Sequence, residues 1–191
     1  VLSTGYLAEK VAEHFDPQPV HGAHVHCAVE TQPLGTAGAI LFNLASLPEQ
    51  CEWVLAGNGD SLVRFDLSEM LGRAGEDVEG VVLGLRQDDC SRFGKLSISS
   101  DGRLLGFAEK SPGPGVINAG VYLLRRRVLD FAERLYPLSI ETAYFPARLA
   151  AGANIRVVET EGPFLDIGTP ESLYAADAWI GDNASWLAGD A

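Results

Sequence analysis

Residues 53–67 read WVLAGNGDSLVRFDL. Trp53 to Ala56 form a short apolar run suited to a buried strand, and Asn58-Gly59 supplies the turn that ends it. Asp60 then places a carboxylate at the exposed end of that strand, although the turn is already made without it. Two readings stand side by side on these residues alone. Asp60 caps the turn, as short acidic side chains often do, or it is a ligand for a divalent cation.

Strand and helix patterns alternate on both sides of this stretch. Toward the N-terminus, Leu7, Val11 and Phe15 recur at helical spacing behind Thr4, the expected N-cap. HVHCAVE (24–30) alternates as a strand. A loop, TQPLGT, leads into the helix AGAILFNLASL, with Thr36 as its expected cap. Toward the C-terminus, Asp66 opens a helix through Met70 and Leu71, and GVVLGL is a continuous apolar run expected of a central strand covered on both faces. KLSISSDGRLLGFAEK reads as a hairpin about Asp101-Gly102. GVINAGVYLL is a strand, RRVLDFAERL a helix, ETAYFPARLA a helix that Pro146 can kink, NIRVVET a strand, and a last helix runs from Pro170 through Trp179 behind Thr169. The predicted fold is α/β, a mostly parallel mixed sheet flanked by helices with a β-hairpin excursion. With 191 residues and no Pro/Gly/Ser linker, one domain over 1–191 is expected.

Composition narrows the function classes. A net charge of −12 disfavours non-specific nucleic-acid binding, which needs Lys and Arg clusters. The three cysteines, Cys27, Cys51 and Cys90, have neither disulfide-framework nor metal-ligand spacing, and are expected as reduced thiols in a cytoplasmic protein. No stretch is long and apolar enough to span a bilayer, so no membrane partner is expected.

Four loops carry candidate chemistry, each after a predicted strand, where α/β folds collect ligands. In ETQPLGTAGAI, Gly35 and Gly38 flank Thr36 at a helix start, so backbone N–H groups face a nucleotide or the glycines merely permit close packing. The second loop carries Asp60. In FLDIGTPESL, Asp166 ends a short apolar piece, and its alternative reading is a helix-start device with Thr169 and Pro170. Two carboxylates at two strand ends suit Mg²⁺, which is held by one or two carboxylates plus substrate phosphates. In the fourth group, Glu109-Lys110 offers an acceptor and a cation, or a solvated surface pair, and Asn118 precedes small Ala119 and Gly120. His24 and His26 share a strand face but lack a third ligand, and are read as exposed histidines. Arg125, Arg126 and Arg127 are read as a solvated run. No serine has the surroundings of a nucleophile.

Taken in order, E-x-x-P-L-G-T-A-G-A-I, N-G-D-S, S-R-F-G, F-A-E-K, I-N-A-G-V-Y, S-I-E and F-L-D-I-G-T-P-E-S resemble the sugar-1-phosphate nucleotidyltransferases, above all the bacterial mannose- and heptose-1-phosphate guanylyltransferases. The likeness runs from Thr4 to about Ala176. It implies a Rossmann-like domain that transfers a nucleoside monophosphate, GMP from GTP, to a heptose or mannose 1-phosphate and releases pyrophosphate. Such nucleotide sugars feed lipopolysaccharide or capsule assembly. By the same resemblance Asp60 and Asp166 hold Mg²⁺ and, with Lys110, make up the catalytic set. Leu34, Gly35, Thr36, Ala37, Asn58 and Gly59 face the nucleotide, while Glu109, Asn118 and Glu141 face the sugar. The partners implied are a nucleoside triphosphate and a sugar 1-phosphate.

The sequence departs from that family at its start. Members open with a strand and a loop G-G-x-G-T-R, followed by a P-K lysine, and neither is present in this sequence. The expectation is a domain missing its first βαβ segment, whose unpaired sheet edge invites assembly into a homo-oligomer. The competing expectation is a non-catalytic, nucleotide-sugar-binding regulatory subunit or an inactive fragment. A nucleotide-sugar-dependent glycosyltransferase is a further rival, but Asn58-Gly59-Asp60 lacks its D-x-D pair.

Overall fold

The computed structural model describes residues 1–15, 22–108, 111–129 and 136–187. These group into two compact units, one of Val1–Val54 with Leu124–Ala153, the other of Leu55–Leu123 with Asn154–Ala191.

The first unit opens with β1 (Leu2–Thr4), α1 (Ala8–Phe15) and β2 (Cys27–Val29), and β1 pairs parallel with β2 in the register Leu2↔Cys27. Thr4 is therefore not the helix cap expected of it. It ends a strand, its hydroxyl donating to the Ala28 carbonyl at 3.2 Å. Three residues are too few to show a strand period, so pairing with β2 supplies what the local pattern lacked. Helix α2 (Thr36–Asn43) follows, then a 3₁₀ turn, Leu44–Ser46. Its N-cap is Gly35, at φ 74°, and no side chain caps it. Thr36 thus lies one residue inside the helix. The capping acceptor comes instead from the backbone, because the Leu138 carbonyl receives the N–H groups of Ala37 and Gly38 at 3.1 and 3.2 Å.

In the same unit the expected solvated arginine run is corrected at two of its three positions. Arg125 has a side chain only 5% exposed, ion-paired with Glu52, and its guanidinium lies 4.3 Å from the centre of the Trp53 ring. Arg126 donates to the carbonyls of Leu44, Leu47 and Pro48. A guanidinium carries five donors in a planar fork, and here the closing 3₁₀ turn offers the carbonyls that match it. Arg127 is exposed, and α4 is described over Arg126–Leu129, so the rest of the predicted helix lies outside the described residues. The ETAYFPARLA helix forms as a π-helical stretch, Ile140–Tyr144, capped by Ser139, running into α5 (Phe145–Ala150). The helix type changes next to Pro146, which sits in the first turn of α5, where its missing N–H is not needed.

The second unit is built on a sheet ordered β7 (Leu104–Ala108), β6 (Lys95–Ile98), β8 (Gly115–Arg125), β5 (Gly80–Gln87) and β9 (Ile155–Thr160), with β3 (Trp53–Gly57) also pairing with β8. The central strand β5 (Gly80–Gln87) is buried from Gly80 through Leu85, as its unbroken apolar run predicts. It pairs parallel with β9 (Ile155–Thr160). At Gly84 a Cβ would stand 2.5 Å from Val116 Cγ1, so only glycine permits this packing. The predicted hairpin is present as β6 (Lys95–Ile98) and β7 (Leu104–Ala108), turning through Gly102 at φ 79°. Strand β8 (Gly115–Arg125) pairs antiparallel with β6. Asp66 caps α3 (Leu67–Gly72) by accepting from the Ser68 N–H at 2.8 Å. Two short strands that the sequence pattern does not announce, β4 (Ser61–Val63) and β10 (Phe164–Asp166), pair antiparallel. Helices α6 (Pro170–Asp182) and α7 (Ala184–Leu187) close the chain, α6 starting from a reciprocal cap between Thr169 and Ser172.

Candidate active site

Asp60 and Asp166 are brought together by the β4–β10 pair. Asn58 anchors the exit of β3 through its N–H, which donates to the Gly120 carbonyl at 2.9 Å. The chain then turns through Gly59 and Asp60 into β4. Asp166 stands opposite Ser61 in the register, and the Ile167 N–H donates to the Asp60 carbonyl at 2.9 Å. Two loops far apart in sequence thereby share one pairing, with their carboxylates adjacent. The shared space is measured at Gly168, where a Cβ would lie 2.9 Å from Asp166 Oδ1 and 3.8 Å from Asp60 Oδ2.

Each carboxylate is steadied by its own loop. Asp166 Oδ1 accepts from the Gly168 N–H at 2.7 Å, and Asp60 Oδ1 accepts from the Ser61 hydroxyl at 3.1 Å. Among the described residues no group of three or more acidic, His or Cys side chains gathers to hold a metal. A pair of hard oxygen donors beside a glycine-lined space fits Mg²⁺, whose remaining positions are filled by water and substrate phosphate. It fits poorly with a softer metal that needs nitrogen or sulfur ligands.

Asn118 lies on β8 two residues before Gly120. Its Oδ1 accepts from the Gly120 N–H at 3.1 Å, and its Nδ2 donates to the hydroxyl of buried Tyr122 at 2.7 Å. Gly120 has φ 74°, and a Cβ there would fall 2.4 Å from Asn58 Nδ2. The N-A-G-V-Y stretch is thus a self-braced kink against which the Asn58 side chain packs. Gly59 is exposed in the turn.

Leu34, Gly35, Thr36, Ala37 and Glu141 belong to the other unit. Leu34 and Ala37 are buried, while Thr36 and Glu141 are exposed. Gly35 and Gly38 are close-approach positions, since a Cβ would lie 2.6 Å from the Leu138 carbonyl oxygen and 2.8 Å from the Tyr136 ring, respectively. A residue missed in the sequence, Glu30, organises this loop. Its carboxylate accepts from the Leu34 N–H at 3.0 Å and from the Ser3 hydroxyl at 2.7 Å. An acid four residues ahead of the L-G-T turn was the available signal. Glu109 and Lys110 lie outside the described residues.

Asp166 also lines a cavity of about 630 Å³ within the second unit, walled by Gln87, Arg92, Phe93, Phe164, Leu165, Thr169, Glu171, Ser172 and Ala175. It opens at the carboxyl end of β5, between the loop after that strand and the start of α6. Its volume is that of a small-molecule site, about 300–1,000 Å³.

A mixed α/β unit with two carboxylates near strand ends is compatible with chemistry on phosphates. The nucleotidyl transferase family matches residues 1–183, and the chain belongs to it, among the sugar-1-phosphate nucleotidyltransferases. Mannose-1-phosphate guanylyltransferase of Mycobacterium tuberculosis is 31% identical over 182 residues, covering 93% of this chain and 50% of that protein. D-glycero-alpha-D-manno-heptose 1-phosphate guanylyltransferase of Aneurinibacillus thermoaerophilus is 30% identical over 178 residues, covering 92% of this chain and 75% of that protein. The crystal structure of HddC from Yersinia pseudotuberculosis, also solved complexed with GMP-PN, superposes with a TM-score of 0.79 at 28% identity, covering 92% of this chain and 75% of that one. The chain therefore spans half the length of the first of these relatives and three quarters of the other two.

Proposed function

We propose that the chain transfers GMP from GTP to a heptose or mannose 1-phosphate, forming a GDP-sugar and releasing pyrophosphate. The observation that carries this reading is the convergence of Asp60 and Asp166 on the space beside Gly168. An oxygen of the sugar 1-phosphate attacks the α-phosphorus, a new P–O bond forms, and the α–β bridging bond breaks with its electron pair leaving on pyrophosphate. Asp60 and Asp166 would hold Mg²⁺, which would neutralise phosphate charge at that site. Lys110 is assigned to the same phosphates. Leu34, Gly35, Thr36, Ala37, Asn58 and Gly59 are assigned to the nucleotide, and Glu109, Asn118 and Glu141 to the sugar. Both guanylyltransferase relatives and the GMP-PN complex of HddC support guanine as the base. This direct displacement needs no covalent enzyme intermediate, which fits the missing nucleophile pattern in the sequence.

Pyrophosphate release, measured with four nucleoside triphosphates against mannose and heptose 1-phosphates, tests the proposal. GTP is expected to be preferred, and EDTA to abolish turnover until Mg²⁺ is restored. Asp60→Asn and Asp166→Asn are each expected to lower kcat/KM on the order of a hundredfold, the cost of losing a group that stabilises transition-state charge. Equal turnover in the double variant refutes the metal assignment, and binding of GDP-sugar without any turnover replaces the enzyme by a regulatory subunit.

A further inference from the structure

We infer that Lys95 is a positioning residue for the transfer, holding the connection between β7 and β8 from which the proposed Glu109 and Lys110 act. The inference rests on the proposed reaction, and adds to it a residue that none of the family-like motifs contains.

The register of the sheet places Lys95 at both ends of this connection. On one side its backbone pairs with Ala108, the last residue of β7, and on the other with Ile117 in β8, next to Asn118. Chain that leaves beside Lys95 therefore returns beside it, its two ends standing two strand spacings apart, about 10 Å. The Lys95 side chain reaches the middle of the same arch. Its ammonium donates to the carbonyls of Pro112 and Pro114 at 3.1 and 3.2 Å. Gly115 leaves room for the lysine stem, since a Cβ there would stand 3.0 Å from Lys95 Cδ and 3.2 Å from Cε.

The arch needs an outside hold because it has few donors with which to brace itself. Pro112 and Pro114 have no N–H, so Ser111, Gly113 and Gly115 carry the backbone donors of S-P-G-P-G (111–115). Gly113, at φ 87°, commits both its backbone groups to the loop after β5. Its N–H donates to Asp89 Oδ1 at 3.2 Å, and its carbonyl accepts from the Cys90 N–H at 3.0 Å. Lys95 supplies the remaining anchor, on the carbonyls to either side of Gly113. An ammonium carries three donors on a flexible stem, so one side chain serves two separate carbonyls at once. Ser111 follows Lys110 directly in the chain, and consecutive Cα atoms lie about 3.8 Å apart. The anchored loop thus sets the end from which Lys110 must reach the phosphates, and a shift of the loop passes to that lysine within a residue or two.

Steady-state kinetics with GTP and mannose or heptose 1-phosphate test the inference. Lys95→Met keeps an apolar stem and removes the donors. It is expected to lower kcat on the order of tenfold, because a misplacement of about 1 Å at a reacting centre costs about a hundredfold and a released loop moves its end by part of that. The KM for GTP and the thermal midpoint stay at wild-type values. Lys95→Arg restores most of the loss, since a guanidinium also donates to two carbonyls. Wild-type kcat in Lys95→Met overturns the inference. So does a loss of kcat that comes with a lower thermal midpoint and is not restored by Lys95→Arg, the mark of a merely structural role. If the wild-type protein shows no transfer with any nucleotide, the proposed reaction fails, and amide exchange at Gly113, followed by NMR, judges the hold on the arch separately. Exchange on the order of tenfold faster in Lys95→Met sustains that hold, and exchange at the wild-type rate overturns it.

Discussion

Replacing Gly168 with alanine isolates the proposed metal site from the fold. Gly168 is exposed and does not occupy the left-handed region, so alanine is compatible with its backbone. The added Cβ would stand 2.9 Å from Asp166 Oδ1, inside any real contact distance, and 3.8 Å from Asp60 Oδ2. Reaching an ordinary carbon–oxygen separation requires a movement of about 0.5 Å. That movement also stretches the 2.7 Å hydrogen bond from the Gly168 N–H to Asp166 Oδ1. Because a misplacement of about 1 Å at a reacting centre costs about a hundredfold, a shift of about half that size is expected to cost on the order of tenfold in kcat/KM. The stability change, by contrast, should stay within about 0.5 kcal/mol, the usual range for a surface substitution. Pyrophosphate release followed across a Mg²⁺ titration, paired with thermal denaturation, reads both quantities. The variant should need more Mg²⁺ for half-maximal rate at an unchanged melting temperature. Wild-type turnover with wild-type Mg²⁺ dependence would refute the convergence of the two carboxylates on a metal.

Two further outcomes concern the framework around the site. Gly84→Ala forces a Cβ to within 2.5 Å of Val116 Cγ1 and 3.1 Å of Val157 Cγ1 in the buried centre of the sheet. Overpacking of this kind costs about 1–3 kcal/mol, so chemical denaturation should show a lower midpoint, and an unchanged midpoint would mean that the strands are not packed this closely. The Asp89 carboxyl is held below the ordinary carboxylate value by hydrogen bonds from the Ser91 side chain and backbone, then from the Gly113 N–H, with Lys95 adding a smaller electrostatic contribution. A depressed native value stabilises the fold above the unfolded-chain value of about 3.9, and that stabilisation is lost as pH falls through the native value. Asp89→Asn should therefore flatten the acid limb of stability measured by urea denaturation between neutral and acid pH. An acid limb as steep as that of the wild type removes Asp89 from the account.

Legibility in the sequence followed the range of the interaction. Strand β5 declared itself because both faces are covered and every residue from Val81 to Leu85 could be apolar or glycine. The hairpin was visible through Asp101-Gly102, since a positive φ is a local demand that glycine meets. The starts of α3 and α6 were legible because Asp66 and Thr169 cap them from within two or three residues. Thr4 and Thr36 looked like caps by the same local rule. Each lost that role to a distant partner, the β2 strand in one case and the Leu138 carbonyl in the other. Arg125 looked solvated for a related reason, because nothing near it in sequence announces that Trp53 and Glu52 come to meet it.

The amino-acid order thus specified the α/β class, most of its elements and the two carboxylates worth watching. Those properties depend on periodicity, turn chemistry and residue type, all of which operate over a few neighbouring positions. It was the pairing of β4 with β10 that brought Asp60 and Asp166 side by side, through a register of three residues in strands too short to carry a period of their own. The cavity wall arose in the same way, from a strand end, a loop and a helix start that share no sequence motif. A carboxylate at the end of a strand is written in the chain, but its partner is chosen by backbone hydrogen bonds that form only when remote segments pack.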